Sequence, residues 1–131
     1  MKFKTGVYLL SLALVSLIAT GCAAVLIGGG VAAGVGTVAY VRGELKTTES
    51  VPLARAWSAS LAAVKDLQFL VLEKQKDGLN GRITARGADD KKIQIALKML
   101  NEKTTEIRIR VGTFGDETQS RLILDRLKKH F

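Results

Sequence analysis

The sequence predicts an α+β fold: a two-layer sandwich whose antiparallel sheet carries two helices on one face, in the order β-α-β-β-β-β-α. Three observations predict it. Within residues 69–111, four short stretches alternate apolar and polar residues, and the turns between them are too short for crossovers. Two longer stretches, after Ser50 and after Asp116, repeat apolar residues at three- and four-residue spacing. The chain before them differs in kind, because residues 5–41 carry no charge.

Residues 40–48 read as the first strand. Ser50 is placed to cap a helix, with Pro52 in its first turn, where a missing N–H does no harm. Leu53, Trp57, Ser60, Leu61 and Val64 then form one stripe, and the Ala residues between them suit a helix packed closely on a sheet. Residues 69–75, 82–86, 92–99 and 104–111 are expected as strands of a meander. Residues 76–81, 87–90 and 101–103 supply the turns. Gly112-Thr113-Phe114-Gly115 ends the last strand. Asp116 is a good N-cap, with Gln119 three positions on as in a capping box. The final helix is expected over residues 117–130, with Leu122, Ile123 and Leu127 facing inward and Lys128 and Lys129 favourably placed near its C-terminus.

The N-terminal segment carries an address. Lys2 and Lys4 precede an apolar run, and small residues lead to Cys22. These are the three parts of an export signal, covering residues 1–21. Ala19-Thr20-Gly21-Cys22 resembles the bacterial lipobox, although Leu is commoner where Ala19 stands. The resemblance implies a lipidated Cys22 as the first mature residue, and several acyl chains on one residue give stable anchoring. Ala23 follows, where enteric inner-membrane lipoproteins tend to carry Asp. The implied location is the cell envelope, at the outer membrane facing the periplasm. The alternative is a transmembrane helix with an incidental cysteine. Against it, the uncharged run is far longer than one span needs, and Gly clusters break its second half. Residues 22–39 form a Gly/Ala-rich stem, read either as an apolar tether or as a packing segment through Gly30 and Gly34. Residues 40–131 form the folded domain.

Composition then limits the chemistry. Among 131 residues there are 20 Lys and Arg against 12 Asp and Glu, a formal charge of +8. Such a balance points to anionic partners, and an exported chain rarely meets nucleic acid. Anionic lipid, lipopolysaccharide, another anionic polymer or an envelope protein are therefore the expected partners. One cysteine permits no internal disulfide, and one histidine with one cysteine cannot build a His/Cys metal site. No cofactor and no metal are expected.

No catalytic set is convincing, so the chain reads as a non-enzyme. His130 is the penultimate residue. Asp89-Asp90 could be a carboxylate pair but sits where turn chemistry is expected. Asp116-Glu117 could hold a cation or support a cryptic hydrolase, yet helix capping explains it more simply. Trp57 lies on the apolar stripe and reads as core.

The strongest functional signal is the outward side of the meander. If Ile83, Ile93, Ile95, Ile107 and Ile109 face the helices, period-two alternation sends Thr84, Gln94 and five cations to the other side. Those cations are Arg82, Arg86, Lys98, Arg108 and Arg110, the candidate anionic-ligand face. Guanidinium groups suit phosphate because their donors form a fixed fork. The plain alternative is a solvated surface, since a half-exposed sheet must place something polar outward and Lys/Arg discourage edge pairing. Glu106 shares the face and lowers its charge.

Tyr40-Val41-Arg42-Gly43-Glu44-Leu45 and Ile109-Arg110-Val111-Gly112-Thr113-Phe114-Gly115-Asp116-Glu117, together with the lipobox and the Gly/Ala stem, resemble an uncharacterised family of small proteobacterial lipoproteins. The resemblance implies an envelope location and one domain, and it brings no catalytic residues. The reading is a lipid-anchored module that binds or scaffolds an envelope component. The alternative is a structural accessory subunit docking on an outer-membrane or transport assembly, through its stem or the Phe114 turn.

Overall fold

A computed structural model of the chain describes residues 36–131. The expected signal, Cys22 and most of the stem lie outside the described residues. The strands are β1 (Val38–Val41), β2 (Glu44–Glu49), β3 (Leu70–Lys76), β4 (Asn80–Arg86), β5 (Lys92–Asn101) and β6 (Thr104–Val111). The helices are α1 (Leu53–Asp66), between β2 and β3, and α2 (Glu117–Lys128), after β6. The six strands form one open antiparallel sheet in the order β1-β2-β6-β5-β4-β3.

The expected class holds, and the order gains a strand. Residues 40–48 were expected as one strand, but the chain folds back at Arg42-Gly43 and makes a hairpin of β1 and β2. Arg42 and Gly43 have φ of 53° and 80°. Two successive left-handed residues match the right-handed twist of the flanking strands.

One face of the sheet is apolar. Leu45, Ile83, Ile93, Ile95, Leu97, Ile107, Ile109 and Val111 are buried there with α1 and α2 residues including Leu53, Val64, Ile123 and Leu127. Trp57 lies against Gly81, where a Cβ would come within 2.8 Å of its ring. That glycine lets α1 approach the sheet closely. Thr105 Oγ1 donates to the Val51 carbonyl at 2.8 Å, tying the chain before α1 to β6.

Three local expectations are corrected. Ser50 does not cap α1: the cap position is Pro52, with no side-chain bond. Leu122 is exposed, and α2 buries Ser120, Ile123, Leu124 and Leu127 instead, positions that share one stripe at three- and four-residue spacing. Asp116 does cap α2 by accepting from Gln119 N at 3.0 Å, but the reciprocal half of a capping box is absent. Gln119 Nε2 reaches Asp89 Oδ2 at 3.3 Å instead.

The opposite sheet face carries no helix. Register fixes its two ends. Gly36 N donates to Thr48 O at 2.6 Å, so the chain enters the sheet at the end where the β3–β4 and β5–β6 turns lie. Gly43, the β4–β5 turn and the loop after β6 lie at the other end. At the far edge, β3 is exposed along its length, and its pairing with β4 shifts between Val71 and Glu73. No helix among the described residues is long and apolar enough to cross a membrane.

Candidate anionic-ligand site

On the uncovered face, cross-strand partners line up in rows. Lys46 pairs with Arg108, Arg108 with Ala96, Ala96 with Arg82 and Arg82 with Gln75. The next row runs Thr48, Glu106, Lys98, Asn80. Ala96 is the short side chain between two arginines, whose backbones are two strand spacings or roughly 10 Å apart. The gap above it opens a groove of about 500 Å³, lined by Arg82, Lys98, Arg108, Lys76, Asn80 and Glu106 among others.

Charge in the groove is uneven. Glu106 is the buried anion of this face, at 8% exposure. Arg108 Nε donates to it at 2.6 Å and Lys46 Nζ lies 3.4 Å away. Burial alone would push the Glu106 carboxyl up. The Arg108 hydrogen bond and charge, with those of Lys46, outweigh this and hold it below the usual carboxylate range. Arg108 is therefore partly neutralised. The Arg82 and Lys98 side chains have no hydrogen bond or ion pair with any described residue, and both are exposed.

The five expected cations do not form one site. Arg82, Lys98 and Arg108 meet at the groove. Arg86 lies nearer the other end, 3.4 Å from Asp90 in an exposed pair. Arg110 is spent on structure: its Nη2 donates to the Arg42 carbonyl at 2.8 Å, and its buried Nε has no partner. Lys46 belongs to the face and Lys76 lines the groove from the end of β3, and both escaped the sequence reading. Lys46 sits on a strand that had been expected only as part of a longer one, and Lys76 was assigned to a turn.

Other singled-out residues have structural partners. Asp89 Oδ1 accepts from Lys91 N at 3.3 Å, and Asp90 takes φ 64°, so this pair builds the β4–β5 turn. Asp116 receives Gln119 N and, at 3.4 Å, Lys91 Nζ. These contacts, the backbone bond foremost, hold its carboxyl below the ordinary range. No group of three or more His, Cys, Asp or Glu among the described residues could hold a metal ion. His130 Nε2 lies 2.6 Å from Asp66 Oδ2, an exposed pair that sequence separation hid.

The family model described as a protein of unknown function (DUF3568) matches residues 6–130. The chain belongs to that family. Comparison with curated proteins found no match. In this DUF3568 chain the two segments quoted above, residues 40–45 and 109–117, meet at one corner of the fold. Gly43 and Gly115 are both left-handed, at φ 80° and 84°. A Cβ on Gly43 would lie 2.5 Å from the Phe114 carbonyl oxygen, and one on Gly115 would overlap the Gly43 backbone and the Tyr40 hydroxyl. The two segments are thus joined by backbone contact. Phe114 stands out from this corner at 93% exposure.

Proposed function

We propose that this DUF3568 protein is a non-enzymatic, lipid-anchored component of the bacterial cell envelope that holds a phosphate-bearing anionic partner in the Arg82–Lys98–Arg108 groove. The anchor is Cys22, and the favoured location is the outer membrane, facing the periplasm. The lipobox-like residues 19–22 and the preceding apolar run support the address. The observation that carries the binding reading is the pair of uncommitted cations, Arg82 and Lys98, at a groove floored by Ala96. A cation whose charge is already answered gains less from a ligand than one still facing water. Lipid headgroups, lipopolysaccharide and other phosphate polymers share this chemistry.

The test uses the full-length chain in neutral detergent micelles, with phosphatidylglycerol added in steps. The Nε–Hε resonances of Arg82 and Arg108 should move, those of Arg110 should not, and Arg82→Glu with Lys98→Glu should abolish the response. Equal movement at Arg86, Arg110 and Arg82 would reduce the face to diffuse surface charge and sink the groove reading.

A second reading has its own observation. Phe114 is held out on a corner where two glycine backbones touch, an arrangement suited to an aromatic anchor for a protein partner. A complex made there should survive ionic strengths that release a phosphate from the groove.

A further inference from the structure

We propose that the sheet end made by the β3–β4 and β5–β6 turns rests on an anionic bilayer, with Leu79 and Leu100 at the acyl boundary and Lys76, Lys98 and Lys103 among the headgroups. The proposal rests on the membrane address above and goes beyond the groove, because it assigns an orientation and an apolar contact.

Register supplies the first argument. The bond from Gly36 N to Thr48 O brings the chain into the sheet in the row Thr48, Glu106, Lys98, Asn80. Both turns project just beyond that row. The residues leading to Gly36 belong to the uncharged run over residues 5–41, so the most apolar part of the sequence joins the domain at this end.

The second argument is the exposed leucine that each hairpin carries at this end. Leu79 is 61% exposed and Leu100 48% exposed. Met99 N donates to the Leu79 carbonyl at 2.7 Å, which ties the β3–β4 turn to the end of β5 one residue before Leu100. Leu100 falls in the register shift between Met99 and Asn101, outside the regular ladder. Asp77 Oδ1 accepts from both Leu79 N and Asn80 N at 2.8 Å, fixing the turn that presents Leu79. A preformed turn loses little freedom on contact, so its leucine's burial is not cancelled by ordering.

Charge supplies the third argument. Lys76, Lys98 and Lys103 are exposed here. Asp77 and Glu102 share the end, but the Asp77 carboxylate is turned onto its own backbone. Lysines flanking exposed leucines match the pattern of interfacial contact, in which apolar burial and attraction to anionic lipid act together.

The experiment uses the full-length chain with Cys22→Ser and one new labelling site: Leu79→Cys, Leu100→Cys or, at the opposite end, Thr113→Cys. All three positions are exposed, so a label there leaves the core intact. Each chain carries an environment-sensitive fluorophore and is mixed with phosphatidylethanolamine–phosphatidylglycerol vesicles containing a doxyl-lipid quencher. Flotation is measured on the same samples. The expected result is blue-shifted, quenched emission at positions 79 and 100 and solvent-like emission at 113. Flotation with unquenched labels at 79 and 100, or with equal quenching at 113, overturns the orientation alone. Failure to float overturns the contact itself, because these chains lack the Cys22 lipid and have only the turns to hold them; the address is read separately, by flotation of the unsubstituted chain. The groove reading has its own readout in the Arg82 resonance.

Discussion

Gly115 sits against Gly43 backbone to backbone, and neither position has space for a methyl group. Both residues also take left-handed φ. The β1–β2 turn and the loop entering α2 are therefore held at a distance that only two glycines permit.

Gly115→Ala and Gly43→Ala should each destabilise the fold by about 2 kcal/mol or more, from the left-handed penalty plus displacement of the neighbouring backbone. Gly78→Ala, where a Cβ meets nothing within 4 Å and φ is not positive, should be near neutral. Thermal unfolding of the three variants measures this. A harmless Gly115→Ala would mean the corner opens freely.

The phase of α2 is tested by neighbours. Leu124 is 3% exposed and Leu122 is 50% exposed. Leu124→Ala should cost about 2–5 kcal/mol, and Leu122→Ala under about 0.5 kcal/mol. Denaturant titration separates them. Equal losses would restore the inward Leu122 expected from sequence.

Ser120 is fully buried, and its hydroxyl has no hydrogen-bond partner among the described residues. Ser120→Ala removes a desolvated polar group and should stabilise the domain by up to about 1 kcal/mol. A clear loss of stability in the same titration would show that the hydroxyl is satisfied after all.

Acid should weaken the fold through Glu106 and Asp116. Both carboxyls are held below their ordinary range in the folded chain, so as pH falls the unfolded chain takes up their protons first. Their stabilisation is present above the unfolded values, near pH 4, and is lost as pH drops toward the depressed ones. Tm should be level above about pH 5 and fall below about pH 4. Glu106→Gln with Asp116→Asn should lower neutral Tm and flatten that fall. An unchanged acid slope would assign it to other groups.

Much of the fold was legible because it follows from periodicity. Ile93, Ile95, Ile107 and Ile109 alternate along their strands, and alternation requires no knowledge of partners. The β1–β2 hairpin was not legible because its turn is Arg42-Gly43, and an arginine at φ 53° carries none of the usual Asn or Asp signal. Gly43 between alternating residues was the available clue. The groove was only half legible. Alternation put Arg82, Lys98 and Arg108 on one face, but their meeting over Ala96 depends on cross-strand register, which lies between segments rather than within one. The same register separated Arg86 and Arg110 from them. The Gly43–Gly115 contact was likewise invisible, although both glycines stood in the segments that marked the family.

The shifted pairing in β3 has a bearing on how this protein behaves when crowded. An outermost strand carrying Leu70, Val71 and Leu72 offers spare main-chain hydrogen bonds beside exposed apolar groups, a template onto which another molecule could add. The displaced residue between Val71 and Glu73 interrupts that template, and Lys74 and Lys76 place charge on what remains. An incoming strand finds two short fragments in place of one continuous rail. The irregularity thus guards a crowded protein against zipping into stacks, and straightening it by deleting Leu72 would remove that protection.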